Sequence, residues 1–217
     1  MLEKYLAIKG WKLFSGVVLL NLFILFLSQT VLIDEIVFFN TYSEQLTYDK
    51  AMEVFSKMKS IAWVVYIITP VLMLIKFSAI SVLLYIGVFF YDLHKQITFG
   101  KIFKVVIISE LVFIVASITK LLWFIFFAGN YTLDDMSFFY PLSLINLFNR
   151  AEVATYWIYP LQTVNIFQVL YVLSLAMGLS RVSSFKKEVA DRVVLFTYVP
   201  AIAVWIALFM FLSIDVQ

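Results

Sequence analysis

The chain has 217 residues, 64% of them hydrophobic and 14% charged, with a formal net charge of +2. A soluble globular domain carries about 45–50% apolar and about 25% charged residues, so this much apolar surface calls for a bilayer around it rather than water. The near-neutral charge, without a basic block, excludes nucleic acid as a partner; the lack of cysteine excludes disulfides, thiolate metal sites and cysteine nucleophiles.

Lys4, Lys9 and Lys12 precede an apolar run from Leu13 to Ile33. It is longer than the roughly 7–15 residues of a signal-peptide core, and Ser28-Gln29-Thr30 is a poor cleavage site, so it reads as an uncleaved first span. In the loop that follows, Thr41-x-x-Glu44 has the pattern of a capping box, and Ala51, Val54, Phe55, Met58, Ile61 and Ala62 recur at helical spacing. An amphipathic helix is expected there, its apolar face resting on the membrane surface or docked on a partner. The second apolar stretch, Ile61 to Tyr91, is interrupted by Pro70 and Lys76. As a helix it would reach about 46 Å, against about 30 Å of hydrocarbon, so a bend near Pro70 is expected.

The third span is Ile102 to Ala128. Asn130 to Ala154 form a second loop, whose Phe138-Phe139-Tyr140-Pro141 and Leu142 to Phe148 are too short to cross and suit the membrane interface. Asn130-Tyr131-Thr132 in this loop matches the glycosylation acceptor pattern. Thr155 to Leu179 and Val193 to Ile214 complete the expected spans. Trp63, Trp123 and Trp157 fall at one predicted boundary and Trp11 at the other, as interface anchors do, while Trp205 lies inside span five and is expected to pack.

Loop charge fixes the number and direction of spans. With five, Lys4, Lys9, Lys12, Lys95, Lys101, Lys104, Arg181, Lys186, Lys187 and Arg192 share one side, and only Lys50, Lys57, Lys59 and Arg150 lie opposite. The opposite side also carries most of the acidic residues, Asp34, Glu35, Glu44, Asp49, Glu53, Asp134, Asp135, Glu152 and Asp215. A sixth span, made by splitting the second stretch at Lys76, would place Lys95, Lys101 and Lys104 outside. The expected fold is therefore all-α, a single membrane domain over residues 1–217: a polytopic transmembrane bundle of about five spans with an outer amphipathic helix, N-terminus cytoplasmic and C-terminus outside.

Motifs for chemistry are missing: there is no His-Glu-x-x-His, phosphate-binding glycine loop or G-x-S-x-G. His94, the one histidine, sits in the charged turn Asp92-Leu93-His94-Lys95 and reads as solvated. No catalytic, metal or cofactor site is expected. The candidate functional residues are the intramembrane polar ones, because a charge at bilayer depth costs about 2.5–3.5 kcal/mol on insertion scales. Lys76 and Lys120 come at similar depth and can snorkel to the interface. Glu110, about two turns into span three, has less reach; Ser117 lies on its face of the helix. Span four contributes Gln162, Asn165 and Gln168, spaced by three, with Ser174 deeper. Interhelical hydrogen bonding is the expected role of these groups, worth on the order of 1 kcal/mol each.

The order of spans, the Thr98-Phe99-Gly100-Lys101 start of span three, and the run Ile166-Phe167-Gln168-Val169-Leu170-Tyr171-Val172-Leu173-Ser174-Leu175-Ala176-Met177-Gly178-Leu179 followed by Ser180-Arg181-Val182-Ser183-Ser184-Phe185-Lys186-Lys187 resemble the Yip family of Ypt/Rab-interacting membrane proteins, in its bacterial branch. The resemblance implies an α-helical inner-membrane protein without a catalytic motif. The expected function is that of a non-enzymatic scaffold or accessory subunit, partnered by the lipid bilayer and by other membrane proteins or itself. The alternative is a small transporter or ion-coupled permease using Glu110 and the span-four amides.

Overall fold

A computed structural model describes residues 8–182 and 186–214; Lys4, Ser183, Ser184, Phe185 and Asp215, named above, lie outside the described residues. The elements are α1 (Gly10–Val31), α2 (Glu35–Tyr42), α3 (Tyr48–Ile61), α4 (Trp63–Phe90), α5 (Phe99–Ser109), α6 (Leu111–Phe126), α7 (Leu133–Phe138), α8 (Thr155–Thr163), α9 (Ile166–Val182) and α10 (Lys187–Ile214), with 3-10 turns at Leu144–Leu147 and Arg150–Glu152. Four helical stretches are long and apolar enough to cross a bilayer: α1, α4, α5 continued into α6, and α10. The fifth expected crossing is α9, apolar but only 17 residues long.

α9 is short because the stretch from Thr155 to Leu179 is not one helix. Val164 leaves the helical region at φ −78° and ψ 88°. The Asn165 carboxamide then joins the two pieces: its oxygen accepts the Gln168 N–H at 2.7 Å, as a helix N-cap does, and its nitrogen donates to the Gln162 and Thr163 carbonyls. Backbone groups released by the break are taken up by the loop before α8, where Leu144 N–H donates to the Val164 carbonyl and Ile166 N–H to that of Leu142. The result is an isolated antiparallel bridge between Ser143 and Asn165. Irregular backbone within a bilayer is tolerated only when protein satisfies it in this way.

Between α1 and α4 the chain folds differently from the sequence expectation. Asp34 caps a separate helix, α2, by accepting the Val37 N–H at 2.8 Å. Thr41 starts no helix; it lies in the last turn of α2, donates to the Val37 carbonyl and accepts the Leu133 N–H. Its hydroxyl therefore ties α2 to α7 and leaves no capping box with Glu44. α3 begins later, after Thr47, and buries Ala51 and Phe55 against Phe38 of α2, the Phe38 and Phe55 rings 5.1 Å apart. That apolar face is occupied only in part: Ala51 and Phe55 are buried, whereas Val54, Met58 and Ile61 stay exposed, and Lys50, Glu53 and Lys57 form ion pairs on the polar side. The helix is interrupted at Ala62, before Pro70, which lies inside α4. The complete capping box is at Thr132, whose hydroxyl and backbone N–H engage Asp135 at the start of α7, so the hydroxyl of the acceptor pattern Asn130-Tyr131-Thr132 is part of that cap.

Lys95, Lys101, Lys104, Arg181, Lys186 and Arg192 flank one end of the bundle, called here the lysine-rich end. The main core fills this half: Leu84, Val88, Ile102, Val106, Leu175 and Leu179 are fully buried. Two glycines allow the close approach. A Cβ at Gly178 of α9 would lie 2.5 Å from Val105 Cγ1 of α5, and one at Gly87 of α4 would lie 2.5 Å from Thr197 Cγ2 of α10.

Candidate functional site

The candidate polar residues are drawn from helices that the sequence places far apart, and most of them converge. Lys76 Nζ, from α4, donates to both carboxylate oxygens of Glu110, at 2.7 and 2.9 Å. The Glu110 side chain is 6% exposed and that of Lys76 42%. Lys76 therefore does not snorkel, as its length alone suggested: a buried carboxylate within reach competes with the interface and wins through two charge-assisted bonds. The ammonium also lies 4.7 Å from the Phe113 ring centroid and 6.0 Å from that of Tyr171, both electron-rich faces.

Glu110 occupies the junction of α5 and α6, where its carbonyl accepts from both Phe113 and Ile114. This local tightening, in an otherwise continuous helix, leaves the carboxylate turned toward α4. Beside the pair opens a cavity of about 320 Å³, lined by Lys76, Ser117, Tyr140, Gln162, Asn165, Gln168 and Tyr198 among others. Its size is at the small end of ligand sites, and its wall is a mixture of aromatic rings and amides around one cation.

Each polar group has a defined partner. Gln168 Nε2 donates to Tyr198 Oη at 2.9 Å, tying α9 to α10, and Gln162 Nε2 donates to the carbonyls of Ser137 and Phe138. Ser117 donates within its own helix, to the Phe113 carbonyl. Lower in the bundle Ser174 and Ser109 share an interhelical hydrogen bond of 2.9 Å. Tyr171 is the exception: its hydroxyl is fully buried and has no hydrogen-bond partner among the described residues. Lys120 stands apart, its Nζ donating to the Met136 carbonyl in the last turn of α7 at 2.6 Å. Nor does His94 contribute; it packs beside Phe89 with Nδ1 3.6 Å from Asp92 in the turn after α4.

Sequence reasoning alone missed Tyr140, Tyr159 and Tyr198, which line the cavity from the loop before α8, from α8 and from α10. Tyr159 also accepts a hydrogen bond from Trp205 Nε1 at 2.9 Å; the Trp205 ring, expected to pack, is 52% exposed and is held by this bond. The break at Asn165 did leave a signal, Asn-x-x-Gln ahead of an apolar run, which is a helix-start pattern. No group of three or more histidine, cysteine, aspartate or glutamate side chains among the described residues converges as metal ligands would. The chain matches no protein-family model, no curated protein and no solved structure.

Proposed function

We propose that the chain is a non-enzymatic, five-span protein of a bacterial inner membrane that binds and passes a small organic anion together with a proton. The observation behind this reading is the Lys76–Glu110 pair at the wall of an amide- and tyrosine-lined cavity. A charge pair at bilayer depth is costly and marks ion or substrate pathways in membrane proteins, and a helix broken beside it is a recurrent feature of transporter sites. Here the break at Val164–Asn165 borders the cavity. The arrangement supports an exchange that conserves charge. A proton from solution adds to the Glu110 carboxylate, Lys76 transfers its hydrogen bonds to the incoming anion, and the net charge at that depth is zero before and after.

In this reading α9 is the fourth crossing, the lysine-rich end faces the cytoplasm, and α3 lies at the outer surface, in keeping with the positive-inside bias and a Yip-like layout. Single cysteines at Glu44 and Asp134 then react with an impermeant thiol reagent from outside, while those at Lys95 and Lys186 do not. The scaffold or accessory-subunit role would use what α2 leaves uncovered on α3, where Val54, Met58 and Ile61 stay exposed. Stoichiometric co-purification with another membrane protein would favour it.

The test of function uses purified protein in nanodiscs, in weak buffer with a pH-sensitive dye, titrated with monocarboxylates of two to six carbons. Binding takes up one proton per anion; Glu110→Gln still binds but takes up none, and Lys76→Met does not bind. Anion binding without proton uptake in the unaltered protein, or no binding across the series, overturns the proposal.

A further inference from the structure

A second cavity, of about 270 Å³, adjoins the one beside the Lys76–Glu110 pair. It lies between α1 and α6, with Asn21, Ser28, Leu32, Lys120 and Met136 in its wall, and Ser117 belongs to both linings. Ser117 sits one turn from Ile114 and from Leu121, on the face of α6 that buries both, yet is itself exposed. The two cavities therefore meet inside the bundle. α1 shows the same pattern. Asn21 and Ser28 fall on the face that buries Val17, Ile24 and Leu32, but are only half-buried, and their side chains make no hydrogen bond among the described residues. Lys120 is the cation of this second cavity. Among the described residues it forms no ion pair, and its bond to the Met136 carbonyl leaves the ammonium with donors to spare. Lys76 has Glu110 as its counterion, so the joined space carries one unbalanced positive charge, at Lys120.

We propose that the two cavities together hold one linear dicarboxylate, with one carboxylate at Lys76 and the other at Lys120, Asn21 and Ser28. The inference rests on the anion pathway proposed above and names its substrate class. Charge selects the ligand. Lys76, Glu110 and Lys120 sum to one positive charge; a dianion together with the proton on Glu110 brings the sum to zero, whereas a monoanion with a proton leaves it unchanged. Net charge at bilayer depth is costly, so the dianion is favoured. Length follows from the helix. Lys120 comes ten residues after Glu110, about 15 Å along the axis. With about 3 Å from each ammonium to its carboxylate, about 9 Å remains between the carboxylates. An extended chain at about 1.2 Å per bond covers that with about eight carbons. Phe113 in one cavity and Ile24 and Leu25 in the other give the methylenes an apolar wall.

The test titrates the protein in nanodiscs at neutral pH with α,ω-dicarboxylates of six to ten carbons, and with the monocarboxylate and the half-amide of each length, following heat and proton uptake. The diacid of about eight carbons binds between about tenfold and a hundredfold tighter than its monocarboxylate or half-amide and takes up one proton. Lys120→Gln removes the preference, lowering the diacid far more than the monocarboxylate. Lys120→Arg keeps it, as does Lys57→Gln at an exposed lysine of α3. Equal affinity for diacid and half-amide in the unaltered chain, a preference that survives Lys120→Gln, or an equal loss for both ligands in that variant overturns the assignment. The half-amide comparison needs no variant, so it decides the matter even where Lys120→Gln fails to fold. Monocarboxylate binding without a proton overturns the anion pathway, whereas proton-coupled monocarboxylate binding without a diacid preference overturns the dicarboxylate alone. Absence of binding by every ligand overturns both.

Discussion

Replacing Lys76 by methionine strands the Glu110 carboxylate, whose only hydrogen bonds among the described residues come from Lys76. Removing one member of a buried ion pair costs about 3–5 kcal/mol, because the remaining charge must stay desolvated or be neutralised. The Lys76 side chain is 42% exposed, so the pair is not wholly dry and the lower end, about 3 kcal/mol, is expected. Glu110→Leu leaves the longer and more exposed partner, which can reorient its ammonium, and costs about 2 kcal/mol. Replacing both by apolar residues removes both charges and brings stability back to within about 1 kcal/mol of the starting protein. Independent sites would instead give a double variant about 5 kcal/mol less stable. Unfolding by sodium dodecyl sulfate in mixed micelles, followed by circular dichroism, measures all four corners of the cycle. Additive losses would refute the view that the pair acts as one energetic unit.

Other variants probe the surrounding construction. Asn165→Ala removes an N-cap and the link to Gln162 and Thr163, so it should cost about 1–2 kcal/mol and raise amide exchange at residues 162–168. Gly178→Ala forces a Cβ onto the stiff Val105 side chain and should cost about 1–3 kcal/mol; adding Val105→Ala should recover much of it, and an unrelieved loss would count against close α5–α9 packing. Tyr171→Phe deletes a buried hydroxyl without a partner among the described residues and should be neutral or stabilising by up to about 1 kcal/mol, whereas clear destabilisation in the same unfolding assay contradicts the geometry. At Asp135, burial pushes the carboxyl up, but the Thr132 hydroxyl and N–H together with the Arg150 guanidinium outweigh it and hold it below the ordinary range. Because the folded value is depressed, this stabilisation is present above the unfolded pKa of about 3.9 and is lost as pH falls through the folded value. Amide exchange across residues 132–138 should therefore rise below about pH 3.9. Asp135→Asn should flatten that rise.

Composition and run length made the helical class and the long apolar helices legible, since nothing else buries this much apolar surface. The individual candidate residues were legible too, because charge within an apolar run stands out. Their pairing was not. Depth along a helix gives no azimuth relative to a neighbour, so Lys76 looked like a partner for the interface when its contact is with Glu110 at the junction of α5 and α6. Helix starts failed for a related reason. Thr41-x-x-Glu44 and Thr132-x-x-Asp135 are similar local patterns, yet only the second caps, because the Thr41 hydroxyl is drawn into the contact between α2 and α7. Hydropathy, averaged over a span, passed over Asn165, although its carboxamide replaces the backbone hydrogen bonds that a continuous helix would make.

The two glycine contacts have an electrical consequence. Gly87 and Gly178 both lie between the Lys76–Glu110 pair and the lysine-rich end, where Leu84, Ile102, Val106, Leu175 and Leu179 are packed without exposed surface. A membrane potential falls across whatever excludes water, so in a bilayer this packed half would act as the insulator, and the cavity beside the pair, if hydrated, would be an extension of one solution. A unit charge crossing the whole bilayer exchanges about 2.3 kcal/mol per 100 mV with that potential. An anion that only reaches Lys76 would sample a minor part of the drop, and its affinity should scarcely respond to voltage. Passing the glycine contacts would cross nearly all of it.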